Sequence, residues 1–117
     1  MAQYLLMLRD NGPRTFEGMS PEQMQKSLQR YRTWSDGLRQ RGKLAGGAKL
    51  TNRDGRVMRR NSSSVAITDG PFAEAKEIIG GYFIVQANSY DEAVGLAKDC
   101  PHLDFGTIEV REIEITA

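Results

Sequence analysis

The sequence has little of what holds small folds together by covalent or metal bonds. It contains one cysteine, Cys100, and one histidine, His102. A single thiol forms no internal disulfide, which fits a reducing compartment. One thiol and one imidazole fall short of the four ligands of a structural zinc site, so neither a metal nor another cofactor is expected. They also build no nucleophilic triad. His102 sits next to Pro101 at the end of an expected helix, with no orienting acid beside it, and reads as an exposed loop histidine. No apolar run approaches the ~20 residues that span a membrane. The N-terminus, MAQYLLMLRDNG, has no basic segment ahead of a long apolar one and reads as a first strand rather than a signal peptide. A cytoplasmic protein is therefore expected. The basic stretches GLRQRGKL and RDGRVMRR carry no interleaved aromatics, so nucleic acid is not an expected partner. Neither Gly46-Gly47 nor Gly80-Gly81 has the frame of a phosphate-binding loop.

What is present suits a globular chain. The 117 residues are 39% hydrophobic and 26% charged, and one domain over 1–117 is expected. Net charge is +1, but it is unevenly spread: residues 1–60 hold 13 of the 16 Lys and Arg and 5 of the 15 Asp and Glu. Complementary faces, within one fold or across a dimer, are the expected outcome of that asymmetry.

QYLLMLRD (3–10) reads as a strand buried on both faces. SPEQ (20–23) starts a helix: Ser20 caps, Pro21 suits the first position and Gln23 completes a capping box. Met24, Leu28, Tyr31, Trp34 and Leu38 form one apolar stripe, and Gly42 ends the helix. Asp54-Gly55 reads as a hairpin turn between AKLTN and RVMRR, giving an inserted hairpin at about 48–60. SVAITD (64–69) and GYFIVQA (81–87) read as strands of the main sheet. Ser89 and Glu92 start a second helix, with Ala93, Leu96, Ala97 and Cys100 on its inner face. GTIEVREIEITA (106–117) is a last strand whose alternation changes phase between Val110 and Ile113, which predicts a bulge or a strand end buried against something else. Without the hairpin the order is βαββαβ, the ferredoxin-like α+β pattern. Two helices would cover one face of an antiparallel sheet. Met7, Ile67, Phe83 and Val85 lie on one side of it or the other, and a homodimer packed sheet on sheet would cover the bare face.

One stretch is distinctive. In TDGPFAEAKEIIGGYF (68–83), Asp69 stands between a β-rich run and a Gly-Pro turn. Buried, its carboxylate could serve as a general base, which needs a raised pKa. Spent on the backbone N–H groups of Pro71–Phe72–Ala73 it would be a turn cap, with a lowered one. With QYLLML upstream, DEAVGLAKDCP after it and GTIEVREI at the end, the chain resembles the YCII-related family, and within it the branch named for its Asp-Gly-Pro-Phe motif. The resemblance covers about residues 3–114 and implies a ferredoxin-like domain dimerised into an α+β barrel, with a cleft between helices and sheet. Some members of the wider family dechlorinate small lactones through a His–Asp pair, and others accompany extracytoplasmic-function sigma factors. The helix histidine of that pair falls near Tyr31 here, so the pair does not carry over.

Two functions follow as expectations. In the first, a dimer binds a small anionic or cyclic molecule, and transforms it or not, in a pocket lined by Tyr31, Trp34, Phe72, Glu77 and Tyr82, with Asp69 as the catalytic candidate. In the second, the chain is a non-catalytic module with a sigma-factor-related partner. Arg9 and Arg59 are candidates for an anionic group, though no spacing singles them out.

Overall fold

Period-two burial in the first strand sets the layout. The computed structural model describes residues 1–10, 19–51, 55–70 and 78–115. In β1 (Ala2–Asp10), Tyr4, Leu6, Leu8 and Asp10 are buried, while Gln3, Leu5, Met7 and Arg9 are half-buried on the other face. Burial is thus one-sided in the single protomer, where the sequence predicts both faces. β1 is flanked by β5 (Ile78–Ala87) and β6 (Gly106–Glu112), both antiparallel to it, and β2 (Leu44–Lys49) pairs with the outer side of β5. The order β2-β5-β1-β6 is the ferredoxin-like sheet.

Helix α1 (Pro21–Gln40) starts as its sequence predicts, with both arms of the Ser20–Gln23 capping box formed, and Gly42 ends it at φ +70°. Its apolar stripe is buried at one end only. Leu38 joins Leu6 and Val85 as a fully buried side chain, whereas Leu28 is 46% exposed. The first half of the helix therefore leaves space above the sheet. Helix α2 (Tyr90–Ala97) is capped by Ser89; the Glu92 carboxylate accepts from the Asn88 N–H, one residue before the expected donor, and from Lys43. Those two bonds, the backbone one first, hold the Glu92 carboxyl below its usual range. Ala93, Ala97 and Cys100 are buried and Leu96 packs on the core, which joins the two helices to one sheet face.

Two expectations fail. The hairpin is β3 (Gly55–Asn61) with β4 (Ser64–Gly70), paired from Gly55↔Gly70 to Asn61↔Ser64 and turning through Ser62 at φ 49°. SVAITD thus belongs to the hairpin and not to the main sheet, and Ile67 with it. Ala48 and Lys49, expected in the hairpin, instead pair with Tyr82 and Gly81 of β5. The small side chains of β2 allow this: Gly47 lies against the Phe83 ring, as a close backbone approach requires. Asp54 of the expected turn lies outside the described residues. Second, of the two outcomes expected at the change of phase in β6, the bulge is not found against β1; the register runs unbroken from Asp10↔Gly106 to Tyr4↔Glu112. The change of phase marks the strand's end, after which Ile113 donates its N–H to the Gln3 carbonyl and Ile115 is exposed.

Part of the uneven charge is paired within the chain. Arg9–Glu109 (3.0 Å), Arg30–Asp104 (2.8 Å), Lys43–Glu92 (3.3 Å) and Arg56–Asp69 (3.5 Å) each join the basic first half to the acidic second. No helix among the described residues is long and apolar enough to cross a membrane.

Candidate functional site

The space beneath the first half of α1 is a cavity of 260 Å³. Leu8, Leu28 and Phe83 give it apolar walls, and the backbones of Gly47, Gly80 and Gly81 form its floor. Three polar side chains meet there. Asp10 comes from the end of β1, Tyr31 from α1, and His102 from the 3₁₀ turn Pro101–Asp104 that leads into β6. Because β6 lies beside β1, the residues just before β6 are brought next to the end of β1.

His102 is 4% exposed, which overturns its expected place in an exposed loop. Its Nε2 lies 2.9 Å from the Arg9 carbonyl oxygen and its Nδ1 lies 3.3 Å from the Tyr31 hydroxyl. A carbonyl only accepts, so Nε2 carries the proton. In the neutral ring Nδ1 is then an acceptor, and the Tyr31 hydroxyl donates to it. The Asp10 carboxylate stands 3.6 Å from Nε2, placed to stabilise the imidazolium if the ring takes a second proton. Burial, with smaller contributions from the Cys100 thiol and Asp10, pushes the Tyr31 phenol well above its ordinary range. Tyr31 therefore stays protonated at neutral pH and is a proton donor, not a phenolate.

Two glycines make this geometry possible. A Cβ on Gly80 would lie 2.6 Å from Asp10 Oδ2, so the carboxylate occupies the space that a side chain would fill. A Cβ on Gly106 would collide with the Arg9 carbonyl and lie 3.0 Å from His102 Nε2. Gly106 thus lets the imidazole reach its backbone acceptor.

The expected site residues are dispersed. Tyr31 lines the cavity. Trp34 stands behind it, its indole N–H donating to the Leu96 carbonyl at 3.0 Å and its ring edge-on to Phe83 with centroids 4.9 Å apart. Tyr82 alternates with Gly81 and Phe83, which face the cavity, so it points to the opposite face of the sheet. Asp69 is on the hairpin, its side chain 93% exposed and 3.5 Å from Arg56. It is not among the cavity's lining residues and is not buried. Phe72, Glu77 and the Pro71–Phe72–Ala73 turn lie outside the described residues. Arg9 pairs with Glu109 on the open face, and Arg59 is exposed on the hairpin.

Asp10 and His102 were missed, yet each left a signal. Asp10 is in phase with Tyr4, Leu6 and Leu8, so a carboxylate occupies the buried face of an apolar strand. His102 precedes the Gly106 start of β6, and the ferredoxin-like order places that point beside the end of β1. Both follow from strand phase and topology together, and from neither alone.

Comparison with known proteins agrees with this fold. Residues 2–115 match the YCII-related domain. An uncharacterized protein, R00369, of Rhizobium meliloti (strain 1021) is 32% identical over 77 residues, 63% of this chain, and the match spans 62% of that relative's length. Among solved structures, 5-chloro-2-hydroxyhydroquinone dehydrochlorinase (TftG) from Burkholderia phenoliruptrix AC1100, in complex with 2,5-dihydroxybenzoquinone, is similar over 96% of this chain and 93% of its own, with a TM-score of 0.54 and 14% identity.

Proposed function

Because the chain belongs to the YCII-related domain family, we propose that it binds a small cyclic molecule in the α1–sheet cavity and exchanges a proton with it through Tyr31, His102 and Asp10. The observation that carries this is the meeting of a half-buried phenol with a buried imidazole and a buried carboxylate at one small, otherwise apolar cavity. At 260 Å³ the cavity falls below the ~300–1,000 Å³ of sites for drug-sized ligands, so a single ring is the natural occupant. The similar dehydrochlorinase was solved with a small quinone, which agrees with that size.

The proton path is short and balanced. A ligand hydroxyl gives its proton to the Tyr31 oxygen as the Tyr31 proton passes to His102 Nδ1; the imidazolium so formed faces Asp10. Run backwards, the same path protonates a ligand oxyanion or carbon. His102 thus supplies, from the turn that leads into β6, an imidazole like the one that family resemblance implies at the place of Tyr31. The base role expected of Asp69 passes to Asp10 with His102.

The rest of the proposal is a cytoplasmic homodimer of single-domain chains in the Asp-Gly-Pro-Phe branch. The bare sheet face supports the dimer: Leu5 pairs with Ile84 and Met7 with Tyr82 across β1 and β5, and all four are half-buried in the single protomer. A sigma-factor-related partner gains no support from the fold or the comparisons.

Calorimetric titration with 2,5-dihydroxybenzoquinone tests the binding site. Binding that weakens at least about tenfold in Asp10→Asn and in Tyr31→Phe is expected, since each removes an acceptor or donor group from the cavity wall. Equal binding by both variants would overturn the proposal.

A further inference from the structure

A second cavity lies along the same groove. It measures 280 Å³ and is lined by Ser35, Arg39, Leu44 and Gly46, among others. Both cavities share Phe83 and Gly47 as lining residues. On α1, Leu28 and Tyr31 of the first cavity are followed by Ser35 and Arg39 of the second at steps of three and four, so one helix stripe roofs both. On β2, Lys49 and Ala48 belong to the first, Leu44 to Gly46 to the second, and Gly47 to both.

The Phe83 ring is the divide. A Cβ on Gly47 would lie 2.8 Å from its Cδ1, so the ring rests on bare backbone, and the Trp34 indole backs it from α1. The two chambers differ chemically. The first is mainly apolar, with the proton-handling trio. The second offers a guanidinium. Ser35 Oγ donates to the Arg32 carbonyl, which leaves Arg39 as the donor that this chamber presents to an anion. Arg39 is bound to Asp36 at 2.6 Å, an exposed i,i+3 pair. Such pairs contribute little, so an incoming carboxylate can compete for the guanidinium.

We infer that the two chambers are subsites for one ligand: a single ring with one carboxylate arm, the ring beside Tyr31 and the arm passing Phe83 to reach Arg39. This rests on the first cavity being a ring site. Lys49, on the first chamber, is the competing cation; its Nζ donates to the Leu50 carbonyl at 3.2 Å.

A matched pair of probes tests it by calorimetry. 2,5-Dihydroxytoluene and 2,5-dihydroxyphenylacetate share a ring and differ in the acidic arm. The arm is expected to tighten binding about fivefold, as an exposed charge-assisted contact does. Arg39→Gln should abolish that gain, and Lys49→Gln should retain it. Equal affinity of the two probes, or a gain lost in Lys49→Gln but kept in Arg39→Gln, overturns the arm subsite. In that case binding of the toluene probe that falls in Tyr31→Phe leaves the ring site standing. Failure of both probes to bind overturns the inference and the ring site together.

Discussion

Replacing His102 by Leu keeps its bulk and removes both of its ring nitrogens, so it isolates the hydrogen bonds. The bonds lost are those to the Arg9 carbonyl at 2.9 Å and to the Tyr31 hydroxyl at 3.3 Å. Breaking a buried hydrogen bond and stranding its partner costs about 1–3 kcal/mol. With Tyr31 keeping some access to the cavity, the total should be about 2–4 kcal/mol. An unfolding entropy of about 2.1 cal/mol/K per residue makes 1 kcal/mol worth about 4 °C at this chain length, so Tm should fall by about 8–16 °C. Trp34 is the one tryptophan, and its fluorescence, with far-UV circular dichroism, follows the transition. Tyr31→Phe loses one bond and should cost about 1 kcal/mol. The double variant should be less destabilised than the sum by about 1 kcal/mol, because the Tyr31–His102 bond is counted twice. A drop below about 2 °C for His102→Leu, or strict additivity, would refute the buried relay and restore an exposed loop histidine.

Other outcomes follow from the same geometry. Gly106→Ala drives a methyl into the Arg9 carbonyl and should destabilise by about 2 kcal/mol or more in a urea melt, whereas Gly95→Ala, with open space around it, should cost nothing and gain a few tenths from helix propensity. Burial pushes the Cys100 thiol from 9.0 to about 11, so the folded state holds its proton where the unfolded chain has lost it. Stability should therefore fall between pH 9 and 11, by up to about 3 kcal/mol, and Cys100→Ala should flatten that part of the pH profile. Ile84→Lys on the bare sheet face should convert a dimer into a 13.1 kDa monomer by light scattering, without loss of helical signal.

The helix starts and stops were legible because each rests on a local signal. The SPEQ capping box, the Gly42 stop and the Ser89 cap all appear as their residues demand. The hairpin was misplaced because two turn signals compete within 20 residues. Asp54-Gly55 is the stronger local motif, yet β2 gains a full partner in β5 by pairing there, and the weaker Asn61–Ser64 turn is left to close the hairpin. The site was harder still. The resemblance drew attention to Asp69, whose motif marks the family, while the chemistry collects where three distant elements converge. Asp10 and His102 are 92 residues apart, and no sequence spacing relates them; strand phase and the β1–β6 pairing do.

His102 is the lone histidine, so imidazole-labelled protein yields a single set of ring ¹⁵N signals that reports on the cavity. Nε2 is expected to carry a slowly exchanging proton held by the Arg9 carbonyl, and the ring signals to shift when 2,5-dihydroxybenzoquinone is added. A rapidly exchanging, solvent-like imidazole that does not respond to the quinone would rule out a cavity-facing His102 held by the Arg9 carbonyl.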